Sequence, residues 1–400
     1  MTYLILLATF FVLTVATASI PLSAIKGNLQ ASVQTIAQEG EYPVHGPSLT
    51  MQDNFTDCVM LNLAAGTDAS HPIASSMANT LHFGNSDIIS DTRNFLDGRQ
   101  VESRFYARYW HGNQVMLRPL LCFMDYRGIR VFNYVLLALL AALCILLGYK
   151  QISRTFAIVF TLGLIVVAGW FVPLNMQYVA CFGVMLTAML LLLLMPNRFH
   201  TTSAACVLFF VIGSVTQFFD LLTTPLIALG LPLIVWCLVH KPDRAARMVI
   251  LLSLMWLLGY ASLWASKWVL AGIITGHDII GDAIQSARLR TAGGEMAEQG
   301  LTAMAIYKMY LSALASTRAL IAGAVFIAAI AILYRCCGRP RRIISSNLWL
   351  LLVAAMPVVW TLVLAQHTFL HHFFTWRIVL VTMVALLLFV CHTISFRKRI

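Results

Sequence analysis

Long uncharged apolar segments recur along the whole chain and dominate its pattern of hydrophobic and polar positions. Each has about 17 to 20 residues, enough for an α-helix to cross the roughly 30 Å hydrocarbon core of a bilayer. Ten are present, at 3–20, 131–149, 155–173, 177–195, 203–219, 223–239, 247–266, 318–334, 347–366 and 378–396. The pattern therefore predicts an all-α polytopic membrane protein with about ten transmembrane helices.

The composition supports this interpretation and excludes an ordinary soluble enzyme. Hydrophobic residues make up 60% of the 400 residues and charged residues 11%, and the mean hydropathy is +0.82. A soluble domain carries roughly a quarter charged residues. The sequence contains neither a Walker A nor a GxGxxG pattern, so it encodes no ATP-driven motor.

The net charge of +11 is explained by the predicted topology. If the N-terminus is cytoplasmic, the cytoplasmic connections hold 13 of the 27 basic residues and one of the 16 acidic residues, Asp243. Lys and Arg concentrate in cytoplasmic loops of membrane proteins in this way. We therefore expect a multi-pass protein of the plasma (cytoplasmic) membrane, bacterial in type, with both termini cytoplasmic, the lipid bilayer as a partner and no nucleic-acid partner.

Two outer connections are too long to be simple links between helices. The predicted organisation is a first transmembrane helix at 1–20, a large extracytoplasmic loop at 21–130, transmembrane helices 2–7 at 131–266, a mobile extracytoplasmic loop at 267–317, and transmembrane helices 8–10 with a basic cytoplasmic tail at 318–400. Residues 16–18 resemble a signal-peptidase site, but the start of the chain lacks positive charge, so we expect a retained anchor. Chemistry is expected at the outer face, where the non-membrane sequence lies.

The first outer loop contains a candidate catalytic pair. Residues 22–38 have apolar positions at helical spacing, which predicts an amphipathic helix on the membrane surface. Asp53 and Asp57 stand four residues apart and would share one helix face. They can supply a base for a substrate hydroxyl or bind a divalent cation, and the alternative is a helix N-cap followed by a solvated acid. Cys58 and Cys122 either form a disulfide or are free thiols.

A basic aromatic segment closes this loop. It contains Arg104, Arg108, Tyr109, Trp110 and His111. Arginine can bind a phosphate through two parallel hydrogen bonds, and aromatic rings suit the membrane boundary. The segment is therefore predicted to bind a donor phosphate or substrate, with an interfacial aromatic belt as the alternative.

Further candidates lie at the outer ends of later helices. They are Asp220, Lys267, His371, His372 and Arg377. An acid in a short apolar hairpin needs a partner, while cations and imidazoles can donate to a phosphate. The alternatives are a helix cap for Asp220 and a snorkelling side chain for Lys267. Metal binding by His367 and His371 is disfavoured, because no acid or cysteine is near them in sequence.

These features resemble the GT-C superfamily of integral-membrane glycosyltransferases, which use polyprenyl-phosphate sugars. Similar proteins have many spans, a large first outer loop with an acidic catalytic residue, and a long mobile outer loop after the seventh span. The resemblance covers most of the chain and implies that Asp53 is the base, assisted by Asp57. It implies a polyprenyl-phosphate sugar donor and a glycan or glycolipid acceptor. In that class the acid usually follows the first span closely, whereas Asp53 comes about 30 residues later.

Two other classes of function remain open from the sequence. The same basic aromatic surface suits a lipid or polysaccharide transporter, although the span interiors carry almost no ionisable residues. A non-catalytic membrane assembly partner is the other alternative. No cofactor is predicted apart from the divalent cation that the aspartate pair suggests.

Overall fold

The computed structural model describes residues 1–45, 50–84, 87–290, 338–340 and 347–396. The first helices are α1 (Thr2–Ala18), α2 (Leu22–Glu39), α3 (Asn54–Ala65), α4 (Pro72–Ala78), α5 (Ile88–Leu96) and α6 (Gln114–Leu121). The long helices follow as α7 (Tyr126–Gln151), α8 (Arg154–Val166), α9 (Met176–Leu194), α10 (Thr202–Phe219), α11 (Ile227–His240), α12 (Ala245–Thr275) and α13 (Ile279–Arg290). The last are α14 (Trp349–Val363), α15 (Ala365–Leu370), α16 (His372–Thr375) and α17 (Val379–Thr393).

Short 3₁₀ turns and strands complete the described part. The 3₁₀ turns span Gly169–Leu174, Pro196–Phe199 and Trp376–Ile378. Strands β1 (Thr80–His82) and β2 (Ser103–Phe105) form an antiparallel pair in which Leu81 lies opposite Arg104. Strands β3 (Gly338–Pro340) and β4 (Ile394–Phe396) form a second antiparallel pair. The described chain is therefore all-α in character, as the sequence predicts.

The number of spanning helices differs from the prediction. Among the described residues five helical segments are long and apolar enough to cross a membrane: Tyr126–Gln151, Met176–Leu194, Thr202–Phe219, Ala245–Thr275 and His372–Thr393. Helices α1 and α2 add a sixth if they count as one span, although they are bent by 83° to each other. The structure therefore supports a membrane protein, with five or six such segments in the described residues, where nine of the ten predicted spans fall.

Backbone interruptions explain most of this difference. The apolar helices α8, α11 and α14 have only 13, 14 and 15 residues. After α8 the chain takes a left-handed conformation at Ala168, with φ +52°, and continues as a 3₁₀ turn. Helix α14 ends at Leu364, where φ and ψ leave the helical region. Apolar composition alone does not reveal such breaks. The predicted span 318–334 lies outside the described residues.

One predicted boundary also moves. Helix α12 continues to Thr275, nine residues past the expected end of the seventh span at 266, and α13 follows it. The remainder of the second outer loop, from 291, lies outside the described residues.

Helix α1 packs along α10. The ring of Tyr3 in α1 lies 6.5 Å from that of Phe210, which is halfway along α10, and Phe10 stacks on Phe218 at 4.2 Å. Helix α1 therefore begins beside the middle of α10.

The helix predicted at 22–38 is present as α2, but its apolar face packs against protein and not against a membrane surface. Ile25, Leu29, Val33 and Ile36 are each at most 1% exposed, and they pack in one apolar cluster with α3 and α5. Helix α2 is joined to α7 by a partly buried ion pair. Arg130 of α7 forms an ion pair with Glu39 at 2.6 Å. Helix α3 therefore packs against a helix, α2, that is itself held to α7.

The long helices pack closely where glycines face backbone. A Cβ added at Gly213 of α10 would lie 2.0 Å from the carbonyl oxygen of Trp256 in α12. A Cβ added at Gly259 of α12 would lie 2.1 Å from the carbonyl oxygen of Phe210. Any larger residue at either position would push the two helices apart, because core packing leaves no free volume.

Several helix ends meet at one end of the bundle. The N-terminus of α9 contacts α3, Asp220 at the end of α10 contacts Cys181 of α9, and His367 of α15 contacts the carbonyl of Leu222. We call this the aspartate end. The other end, where α11 finishes and α12 begins, is called the basic end, because it carries Lys241, Arg244 and Arg247.

Candidate functional site

Asp53 is a buried carboxylate at the start of α3. It is 2% exposed, and it caps the helix by accepting the backbone N–H of Thr56 at 3.0 Å and the Thr56 hydroxyl at 2.7 Å. Burial raises the pKa of Asp53 to about 7; the bonds from Thr56 oppose this and the charge of Asp57 adds to it. A carboxyl group with such a pKa exchanges its proton near neutral pH, as a general base requires. The N-cap alternative is correct for Asp53, because its side chain accepts the N–H of Thr56 in the first turn of α3.

Asp57 is fully buried, and hydrogen bonds occupy both of its oxygens. One oxygen accepts the Tyr126 hydroxyl, the Asn175 amide at 3.0 Å and the N–H of Met176 at 3.0 Å. The other accepts the N–H of Gln177 at 3.3 Å. Burial raises the pKa of Asp57, and these hydrogen bonds oppose the rise. The solvated-acid alternative is wrong for Asp57, because this carboxylate joins α3 to the N-terminus of α9.

Arg377 approaches the same region from the far end of the sequence. Its side chain is 1% exposed, and its guanidinium lies 4.7 Å from the ring centre of Tyr178 and 5.5 Å from that of Phe171. Tyr178 donates to the carbonyl of Met51 at 3.3 Å, two residues before Asp53. Tyr178 interacts electrostatically with both Asp53 and Arg377. The predicted base and one predicted phosphate ligand therefore share a tyrosine neighbour.

The histidines continue this cluster. His371 stacks on Phe374 at 5.1 Å, and Phe374 lies 5.9 Å from Tyr178. Burial lowers the pKa of His371 to about 4, with Arg290 adding to the shift. His371 is therefore neutral near pH 7 and offers a hydrogen bond and not a charge. His372 is exposed and its Nδ1 lies 3.0 Å from the carbonyl of Phe369.

Asp220 and Tyr109 lie on the neighbouring side of the aspartate end. Asp220 is 2% exposed and accepts the N–H of Thr223 at 2.8 Å and the Cys181 thiol at 3.2 Å. Burial raises the pKa of Asp220. Tyr109 is 1% exposed and stacks on Trp264 at 5.8 Å. The predicted helix-cap role of Asp220 is wrong, because α11 begins at Ile227 with Leu226 at its N-cap and no side-chain cap. Asp220 instead ends α10 and binds the turn that follows it.

Arg290 is a cation that the sequence analysis did not select. Its guanidinium lies 5.6 Å from the ring centre of Tyr109, and it interacts electrostatically with His367 and His371. In the sequence it is one of several basic residues in an apparently mobile loop. The last turn of α13 brings it to the cluster. Tyr178 was missed as well, because it lies within an apolar segment.

Other predicted ligands have mainly structural contacts. Arg108 pairs with Asp282 at 3.3 Å, and its carbonyl accepts the indole N–H groups of Trp264 and Trp268. Trp110 donates to the carbonyl of Leu263 at 2.8 Å. These bonds fix the basic aromatic segment along α12.

His111 is 1% exposed and belongs to the same segment. Its Nε2 lies 2.9 Å from the carbonyl of Tyr106, and burial lowers its pKa to about 3. The ring is therefore neutral near pH 7.

Lys267 and Arg104 do not join the cluster. The Lys267 ammonium is fully buried and donates to the carbonyls of Ser76 at 3.1 Å and Met77 at 2.9 Å, which holds α4 against α12. The snorkelling alternative is wrong, because the ammonium points into protein. Arg104 is exposed on β2, where its guanidinium lies 4.9 Å from the ring centre of Phe83.

Several buried polar atoms at the aspartate end have no hydrogen-bond partner among the described residues. They are Gln52 Nε2, the Tyr109 hydroxyl, Gln177 Oε1 and both amide atoms of Gln217. Native proteins pair nearly all such groups, so an unpaired set calls for water or a polar ligand. An apolar cavity of about 400 Å³ lies nearby between α7, α9 and α10. Its lining includes Val179, the residue that follows Tyr178 in the sequence.

The described residues contain no group of three or more His, Cys, Asp or Glu side chains placed to hold a metal ion. Cys58 and Cys122 are free thiols. Fold and site together define an all-α membrane protein with a buried cluster of acids, cations and aromatic residues at one bundle end. The chain matches no family model, no curated protein and no solved structure.

Proposed function

We propose that this protein is a membrane glycosyltransferase of the GT-C type. It moves a sugar from a polyprenyl-phosphate donor to a cell-surface glycan or glycolipid acceptor. The observation that carries the proposal is the environment of Asp53, a buried carboxyl group with a pKa near 7 that shares Tyr178 with the Arg377 guanidinium. A base and a cation in one protected site are what sugar transfer from a lipid phosphate requires.

The reaction divides between these groups. The Asp53 carboxylate takes the proton of an acceptor hydroxyl while that oxygen attacks the anomeric carbon of the donor sugar. The bond between the anomeric carbon and the phosphate oxygen breaks, and its electron pair leaves with the lipid phosphate. Arg377 and Arg290 offset the negative charge that develops there, and the neutral His371 donates a hydrogen bond.

Three further observations support this assignment. The unpaired amide and hydroxyl groups at the aspartate end suit the hydroxyls of a sugar. The apolar cavity between α7, α9 and α10 suits part of a polyprenyl chain. Helix α2 turns the chain sharply after α1, and Asn54 donates to Glu39 at 3.0 Å, so α3 begins beside the end of α2. This geometry accounts for the long sequence interval before Asp53.

We place the aspartate end outside the plasma membrane of a bacterial cell. The concentration of Lys and Arg in the connections at the basic end supports this orientation.

Asp53→Asn tests the proposal, because asparagine can still cap α3 but cannot accept the proton. Asp87→Asn is the matched control, since Asp87 caps α5 through the same bonds to Ser90 at an exposed site. In cells lacking the chain, Asp87→Asn should restore the sugar to surface glycans, as measured by mass spectrometry, and Asp53→Asn should not. Full restoration by Asp53→Asn in stably inserted protein would refute the proposal.

A further inference from the structure

The basic end holds a cavity between three helix ends. Its volume is about 840 Å³, and it lies where the end of α11, the start of α12 and the start of α14 meet. Its lining includes Lys241, Asp243, Arg244, Arg247, Trp349 and His392. Three cations and one acid therefore face the same space, at the end of the bundle opposite the aspartate end.

These cations are not neutralised within the described part of the chain. No hydrogen bond or ion pair is formed there by the side chains of Lys241, Arg244 or Arg247, although Asp243 lies among them. Repulsion between converging cations costs free energy unless an anion joins them. The backbone adds to the positive potential, because α12 begins at this cavity and no side chain caps its first turn.

The surroundings of the cavity favour an anion that is attached to a lipid. Leu348 lines the cavity and is 45% exposed, and Leu352 on the next turn of α14 is 43% exposed. On α12, Ile250 lies one turn after Arg247 and is 55% exposed. In a membrane protein such exposed apolar side chains face hydrocarbon. The cations and the lipid-facing apolar residues therefore lie together at the opening of the cavity.

We infer that this cavity binds the phosphate head group of an anionic phospholipid. Lys241, Arg244 and Arg247 contact the phosphate, and the acyl chains run along Leu348, Leu352 and Ile250. Basic pockets between membrane helices are suited to such head groups. Because the cavity lies at the opposite end from Asp53, this binding is independent of the proposed transfer reaction.

The test must separate a built site from the general attraction of basic loops for anionic lipid. The purified full-length chain in detergent is titrated with phosphatidylglycerol or with zwitterionic phosphatidylcholine, and bound lipid is counted by native mass spectrometry. The pocket variant combines Lys241→Gln, Arg244→Gln and Arg247→Gln. The control variant combines Lys150→Gln, Arg154→Gln and Arg198→Gln, which removes the same charge from exposed positions outside the cavity.

We expect the pocket variant to weaken phosphatidylglycerol binding by at least about tenfold, given about 1 kcal/mol per basic residue near anionic lipid. The control variant should change it by less than about twofold. A charge-preserving variant with Lys241→Arg, Arg244→Lys and Arg247→Lys should keep binding and so exclude misfolding as the cause. Equal losses in the two glutamine variants, or equal binding of phosphatidylcholine, would overturn the inference. Displacement by equimolar glycerol 3-phosphate would overturn the assignment to a lipid.

Discussion

Asp57 accepts the backbone N–H of Met176 at 3.0 Å, so a carboxylate from the 12-residue helix α3 caps the 19-residue helix α9 from outside. The same oxygen accepts the Tyr126 hydroxyl at the start of α7. One side chain thus joins the loop-borne α3 to two long apolar helices. Asp53, one turn earlier, is held in place relative to Tyr178 as a result.

Replacing Asp57 with alanine should lower the free energy of unfolding, because Asp57 acts as a structural anchor. The change leaves the Tyr126 hydroxyl, the Asn175 amide and the Met176 N–H unpaired in a buried site. Each such loss costs about 1 to 3 kcal/mol, so we expect a loss of roughly 3 kcal/mol or more. Thermal unfolding in detergent measures it. Asp87→Ala, at an exposed cap, should cost only about 1 kcal/mol, and equal effects would show that Asp57 is not an anchor.

The pH dependence of transfer should report Asp53. The carboxyl group acts as a base only when ionised, and burial raises its pKa to about 7. The rate should therefore rise with pH and level off above about 7. A transfer rate that does not change between about pH 5 and 8 would contradict this role of Asp53.

The raised pKa of Asp53 also makes the free energy of unfolding depend on pH. This free energy should fall as the pH rises, whereas the transfer rate should increase. The native state holds the Asp53 proton more tightly than the unfolded chain, whose pKa is near 3.8. This contribution to the free energy of unfolding is complete below pH 3.8 and is lost as the pH rises through about 7. Asp53→Asn should flatten that part of a stability profile measured by denaturant unfolding. An unchanged slope would contradict the raised pKa.

Arg377→Lys keeps the charge but removes the planar group that lies over Tyr178. If the guanidinium offsets the leaving phosphate, kcat should fall by about tenfold to a hundredfold, with a smaller change in KM. Arg104→Lys is the matched control, because Arg104 also lies over an aromatic ring, that of Phe83, but is exposed and outside the cluster. Similar losses in both variants would argue against a role for Arg377 in the reaction.

Lys267→Met separates a structural lysine from a phosphate ligand. The ammonium donates to the carbonyls of Ser76 and Met77, and methionine cannot replace those bonds. We expect a lower Tm, corresponding to a loss of about 2 kcal/mol, with transfer per folded molecule unchanged within about twofold. An unchanged Tm together with lost donor binding would contradict this prediction and would indicate that Lys267 binds the donor phosphate.

The sequence selected several residues that the structure brings together in the candidate site, but not the contacts that each of them makes. Asp53 was selected because it follows an amphipathic segment and precedes Asp57 by four residues, and the structure shows it buried at a helix cap. The amphipathic segment and the four-residue spacing are local features, so a sequence can reveal them. Tyr178 and Arg290 were missed because a tyrosine in an apolar segment and an arginine in a polar loop carry no local signal of meeting Asp53 or His371.

Hydrophobic periodicity and composition alone determined that this is an all-α membrane protein, because a bilayer demands long apolar segments whatever their partners. They also determined the amphipathic character of α2. Only the tertiary structure decided which apolar segments remain unbroken, since the breaks at Ala168 and Leu364 depend on backbone conformation. It also decided that the two aspartates divide into a capping anchor and a buried acid, because burial and hydrogen-bond partners come from residues far away in sequence.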